Sequence, residues 1–388
     1  MVIVLNSDKF ERPHLMSHYF TFNNRLRISV FLILALSTCR CAQELKKFPA
    51  REIIPSVDQY EININASPNP LRVLYLGCGH LVIQYRNESM ITDPYFSTQP
   101  FKPGKIRIHP DDYKKYAEVV SRHGVDLTKA SSVWLAHTHY DHMMDIPLLL
   151  KENQLSRTAK IYGNEFGDNI LQNFIKPEQY HTILPSEMFN PEEKNPSTLP
   201  WLDASPSIRV MPILSDHAPH LKIGPIKIHL MRGKLKSEYF RKNFTEVSSR
   251  TRQGQWREGC TYSFLVDFMS GENIEYRLFI QTSASHYPLG MPPPEMLKQR
   301  AVDVAFLCVA STNFAKPYPS DIIKQIHPKK VVLIHWEDFF LKTLDFDSAK
   351  LVRLTNFKKV DKQLRRTGLV PLKDNFVMPR PGTMITIK

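Results

Sequence analysis

Six consecutive residues, His137-Thr138-His139-Tyr140-Asp141-His142, hold three imidazoles and a carboxylate. They follow directly on the apolar run Val133-Trp134-Leu135-Ala136. Neutral imidazole and carboxylate are ligands that zinc prefers, and a catalytic zinc keeps one position open for water. An apolar run that stops at a polar cluster reads as a buried strand ending in a loop. In α/β proteins ligand sites lie just outside the carboxyl ends of strands. Two more apolar runs end the same way, Ile208 to Ile213 before His217 and Val331 to Ile334 before His335. Any of these histidines alone would more often be structural. Together, drawn from three strand ends, they could fix the geometry of a metal.

The elements that must carry these residues follow from periodicity. Leu71 to Leu76, Leu81 to Tyr85 and Met90 to Thr92 are short strands joined by tight turns, an antiparallel meander. Asp111 to His123 has helical spacing, with Tyr113, Tyr116, Val119 and Val120 on one side. Further along, strands are expected at 161–163, 208–213, 260–268, 276–281, 302–309, 331–334 and 384–387. Helices are expected near 147–157, 169–174, 294–300, 320–326 and 348–366. Strands first and strand–helix units later make an α/β domain of two sheets with helices outside.

This pattern resembles the metallo-β-lactamase-fold superfamily. The carrying residues are the His-x-His-x-Asp-His motif at 137–142, His217, and His335 in Leu333-Ile334-His335-Trp336. The opening Tyr75-Leu76-Gly77 and Asp93-Pro94-Tyr95-Phe96-Ser97 is similar too, so the resemblance spans about residues 71 to 388. Within the superfamily the chain looks most like the branch of ascorbate-phosphate lactonases and N-acyl-phosphatidylethanolamine phospholipase D. The resemblance implies a four-layer αββα sandwich. It also implies that His137, His139 and His217 hold one metal, and that Asp141, His142 and His335 hold a second. Family members carry an aspartate at a later strand end that bridges both metals. Here the matching position is Thr282, preceded by Gln281. A hydroxyl is a far weaker zinc ligand than a carboxylate. Glu337, Asp338 and His286 are candidate substitutes, and Thr282→Asp is expected to raise metal content.

The implied activity is metal-dependent hydrolysis of an ester, lactone, amide or phosphodiester bond. Zinc lowers the pKa of bound water from 15.7 to about 7. Zn2+ is expected firmly at one position and weakly at a second, with manganese or iron also compatible. Asp141 is the expected catalytic residue, orienting water as well as binding metal. His220 and His286 are candidate proton donors, with solvated or structural roles the commoner alternative. Tyr140 and His80 are candidate site neighbours, packing and a turn being their simpler roles. Two other functions compete: a phospholipase-type phosphodiesterase, and a non-catalytic metal- or ligand-binding protein with a degenerate second site.

Composition bounds the rest. The 388 residues are 42% hydrophobic, enough for a sizeable core, and carry a formal charge of +13 without a Lys/Arg block. This suits a small-molecule or lipid substrate, with a weak preference for anionic ones, and argues against nucleic acid. None of Cys39, Cys41, Cys78, Cys260 and Cys308 sits in a metal-knuckle spacing. Arg25 and Arg27, the apolar run Ile28 to Leu36, and Ser37 to Gln43 have the order of a secretory signal peptide. Residues 1–42 are therefore expected to be a signal, with translation from Met1 or Met16, and the protein to be exported. Leu36-Ser37-Thr38-Cys39 resembles a lipobox, and membrane association is expected only if Cys39 is lipidated. Residues 43–70 read as an extension and 71–388 as the catalytic domain, with an insertion near 151–207.

Overall fold

The computed structural model describes residues 2–4, 44–64, 67–101, 104–107, 109–193, 199–223, 226–229, 231, 237–244, 251–341, 344 and 349–388. Most of the expected signal segment, and the start of the helix expected at 348–366, lie outside these residues. Among the described residues no helix is long and apolar enough to cross a membrane.

Two large sheets carry the fold. The first has eight strands in the spatial order Gln59–Ile62, Thr383–Ile387, Leu71–Tyr75, Leu81–Tyr85, Glu88–Thr92, Ala130–Trp134, Lys160–Gly163, Tyr180–Thr182. Its centre is the expected antiparallel meander, and from Glu88–Thr92 onward the pairing is parallel. The second has seven strands: Phe376–Val377, Lys330–Ile334, Val304–Cys308, Asn273–Gln281, Thr261–Ser270, Ile208–Ser215, Leu202–Ser205. A small third sheet joins Val2–Val4, Ile226–His229 and Leu221–Ile223.

Alternation along the strands sorts the apolar residues into layers, because successive strand side chains face opposite ways. Val73, Ile83 and Trp134 of the first sheet meet Val210, Phe264, Leu278, Phe306 and Ile334 of the second in one buried cluster. Their neighbours Leu74, Val82, Ile91 and Val133 face outward, against Tyr116, Val119 and Val120 of the helix Pro110–Arg122. On the far side Leu265, Phe279, Leu307 and Leu333 pack against Ile322, Ile323 and Ile326 and against Phe357, Val360 and Leu364. Those belong to the helices Ser320–Ile326 and Phe357–Arg365. The architecture is the expected α/β sandwich of four layers, helix, sheet, sheet, helix.

Several elements differ from the sequence expectation. The helix expected at 169–174 lies earlier, at Glu165–Leu171, because the Asn164 side chain caps it by accepting from Phe166 N–H. The helix expected from 348 starts at Phe357, where Asn356 accepts from Lys359 N–H. The stretch expected as an extension contributes a strand, Gln59–Ile62, parallel to Thr383–Ile387, and it buries Phe48, Ala50 and Ile53. Within the expected insertion, the strand expected at 161–163 is present as Lys160–Gly163, and an unexpected one, Tyr180–Thr182, pairs parallel with it in the main sheet.

Six strands deliver chemistry at the residues just past their carboxyl ends: Leu71–Tyr75 before Cys78, Glu88–Thr92 before Asp93, Ala130–Trp134 before His137, Ile208–Ser215 before His217, Asn273–Gln281 before Thr282, and Lys330–Ile334 before His335.

Candidate metal centre

Among the described residues, two groups of potential ligands form at this edge. One ligand atom from each of His137, His139 and His217 lies within 4.8 Å of the others. Cys78, Asp141 and His335 form a second group by the same measure. The groups adjoin. The ring centroid of His137 is 3.9 Å from that of His142, and His142 is 5.5 Å from His335. Asp141 Oδ2 lies 3.7 Å from His142 Nε2 and 3.5 Å from His335 Nε2.

The electrostatics suit cation binding. Burial and the neighbouring histidines hold His137 and His139 well below the usual imidazole range, and burial brings His217 down to about 4. These rings are neutral at pH 7, the form that binds metal. Burial works against ionisation of Asp141, but His142, His335 and His139 outweigh it and keep the carboxyl below its usual range. Burial, Glu337 and Asp141 push the Cys78 thiol well up. His137 Nδ1, His139 Nε2 and His335 Nδ1 are buried and have no hydrogen-bond partner among the described residues. A buried polar atom left unpaired costs about 1–3 kcal/mol. Neutral imidazoles beside an ionised carboxylate and a thiol are the donor set a divalent metal takes up.

Asp93 organises the floor. Its Oδ1 accepts from Ala136 N–H at 2.8 Å, and its Oδ2 accepts from Thr282 Oγ1 at 2.7 Å and lies 2.8 Å from His142 Nδ1. A histidine that binds metal through one nitrogen usually donates the other to a carboxylate, which fixes its tautomer and orientation. That leaves His142 Nε2 toward Asp141. Burial opposes protonation of His142, yet Asp93 and Asp141 raise its pKa above the usual value. The floor is tight: a Cβ at Gly79 would stand 2.8 Å from the Thr282 side chain. Cys78 (φ 49°), Asp93 (φ 40°) and His335 (φ 53°) all have left-handed backbone, a conformation that non-glycine residues hold only where the surroundings enforce it.

No family model matches the chain, and no curated protein matches it in sequence. Solved structures match it in fold. An isothiocyanate hydrolase from Delia radicum gut bacteria is 13% identical, covering 81% of this chain and 98% of its own, with a TM-score of 0.44. A metallo hydrolase from Ignicoccus hospitalis is 13% identical over 82% and 99%, with a TM-score of 0.43. A diiron β-hydroxylase from Streptomyces venezuelae is 12% identical over 83% and 55%, with a TM-score of 0.41. At this distance the chemistry has to be argued from the chain's own residues, and the expected lactonase and phospholipase branch gains no support.

The expected ligands His137, His139, Asp141, His142, His217 and His335 all gather here. The three expected substitutes for the missing aspartate do not stand in for it. Glu337 is fully buried and accepts from Tyr75 Oη and from Cys78 N–H. Asp338 is bound by Arg353 Nε at 2.8 Å, and His286 Nδ1 lies 3.1 Å from Asp216 Oδ2. His220 does reach the first group, its ring 4.9 Å from His217 and 5.4 Å from His139. His80 serves the turn. Its Nδ1 lies against the Tyr95 backbone, and its ring stacks 5.6 Å from Tyr116. Tyr140 packs edge-on with Tyr95 at 6.2 Å. Sequence reasoning missed Cys78 as a neighbour of Asp141 and His335. The only available signal was its place at the end of the first strong strand.

The contact between Thr282 and Asp93 changes one expectation. An aspartate at 282 would set a second carboxylate against Asp93 Oδ2, and like charges this close destabilise each other. Thr282→Asp is therefore expected to lower the melting temperature of the metal-free protein, with added metal restoring it. Equal melting temperatures for the two metal-free proteins would contradict this.

Proposed function

We propose that the protein is a metal-dependent hydrolase working at the joined clusters of His137, His139, His217 and of Asp141, His142, His335. One observation carries the reading: among the described residues, two adjoining sets of ligand-grade side chains, His137, His139 and His217 in one and Cys78, Asp141 and His335 in the other, each bring their ligand atoms within 4.8 Å of one another. A bound divalent metal, zinc in the first instance, supplies Lewis acidity and brings the pKa of water to about 7. The chain does the rest. His137, His139 and His217 present neutral nitrogens from two strand ends, so their geometry is set by the sandwich and not by a mobile loop. Asp141, ionised and between the groups, accepts a hydrogen bond from the attacking water at Oδ2 and orients it. Asp93 holds His142 by its Nδ1.

The substrate reading is an ester or lactone with an apolar body. Phe339 lies edge-on to His335 at 5.2 Å and stacks against Phe340 at 4.4 Å, and Phe340 meets Phe101 at 4.8 Å. This half-buried aromatic wall gives an apolar group a place to rest beside the second group. The purified chain is expected to hold zinc, iron or manganese near stoichiometry. It should hydrolyse generic esters or lactones faster than phosphodiesters or β-lactams, and lose activity to a chelator. Absence of any of these metals, with activity indifferent to chelation, would overturn the reading.

A further inference from the structure

The second group contains a donor that the histidine pattern does not supply. Cys78 reaches Asp141 and His335 from a separate strand end, and all three are buried. His335 is 5% exposed and its Nε2 lies 3.5 Å from Asp141 Oδ2. The backbones of the two outer members are pinned by one carboxylate. Cys78 N–H donates to Glu337 directly. His335 N–H donates to Tyr75 Oη at 2.9 Å, and Tyr75 Oη donates to Glu337. A thiol that merely filled space would need no such support. Meanwhile the strand end that would offer a bridging aspartate offers Thr282, whose hydroxyl is spent on Asp93.

We propose that Cys78 is a thiolate ligand of a second metal ion, bound with Asp141 and His335. This rests on the metal-dependent reading above and specifies its second site. The thiolate supplies the negative charge that Thr282 lacks, and sulfur is a stronger donor to zinc than a hydroxyl. Binding displaces the thiol proton to solvent, so uptake at this site releases acid. A softer donor set shifts the preference toward zinc or iron and away from magnesium or calcium. Glu337 is the positioning residue that keeps Cys78 and His335 at the required spacing.

The test is titration of the metal-free full-length chain with Co2+, read by absorbance and by metal content. About two cobalt ions per chain are expected, with an intense near-ultraviolet thiolate-to-cobalt band. Cys78→Ser should lose the band and bind about one ion. His217→Ala, which damages the first site, should keep the band. Cys78→His should recover the second ion without the band, showing that the serine variant's loss is not misfolding. Cobalt binding with no thiolate band, or a band that survives Cys78→Ser, overturns the proposal and leaves the metallohydrolase reading intact. No cobalt binding at all overturns both.

Discussion

His137→Ala will lower hydrolytic activity on the order of 1000-fold or more, since ligands that act as a unit cannot be removed singly without losing the unit's function. The geometry explains why this position should be the most sensitive. His137 Nε2 is 3.0 Å from His139 Nδ1, and its ring lies 5.0 Å from His217 and 3.9 Å from His142. Its ring lies against the other two histidines of the first group and against His142, which in turn reaches Asp141 and His335. A second readout separates chemistry from folding. Metal at 100 times its dissociation constant should stabilise the wild-type chain by about 2.7 kcal/mol. The variant should lose that stabilisation while its metal-free melting temperature changes far less. An alanine variant that kept both the metal-induced shift and the activity would show that this cluster is not the reaction centre.

Asp93→Ala should cost about 3–5 kcal/mol of stability, the range for removing one partner of a buried ion pair. The carboxylate is fully buried and serves three donors, Ala136 N–H, Thr282 Oγ1 and His142 Nδ1, the last only 1% exposed. No solvent can replace it. Metal affinity should fall about 10–100-fold as well, because His142 loses the partner that fixes its orientation. The pairing also gives a pH signature in the metal-free protein. Asp93 and Asp141 raise the His142 pKa above the usual value. The resulting stability is complete below about pH 6.5, the unfolded value, and fades as pH rises through the raised folded value. Asp93→Asn should flatten that slope. Denaturant unfolding across this range, with and without chelator, measures both effects. A slope unchanged in the asparagine variant would remove Asp93 from this role.

The sequence by itself determined a good deal. The meander, the later strand–helix units and the His-x-His-x-Asp-His run were all readable, because apolar alternation and dense ligand spacing are local signals. His217 and His335 were readable for the same reason, each standing where an apolar run ends. The helix starts at Glu165 and Phe357 were read wrongly because single asparagine caps set them, a signal weaker than the surrounding periodicity. Gln59–Ile62 was missed because its pairing partner, Thr383–Ile387, lies more than 300 residues away in the chain. Only the tertiary structure decided what compensates for Thr282. Sequence offered Glu337, Asp338 and His286 because they lie near the right strand ends. The fold instead ties those three to other partners. It brings Asp93 against Thr282 and His142, and Cys78 against Asp141 and His335. Which side chains share a site depends on how separate strand ends meet at one edge of the sandwich. Residue spacing along the chain cannot encode that meeting, because packing of the two sheets creates it.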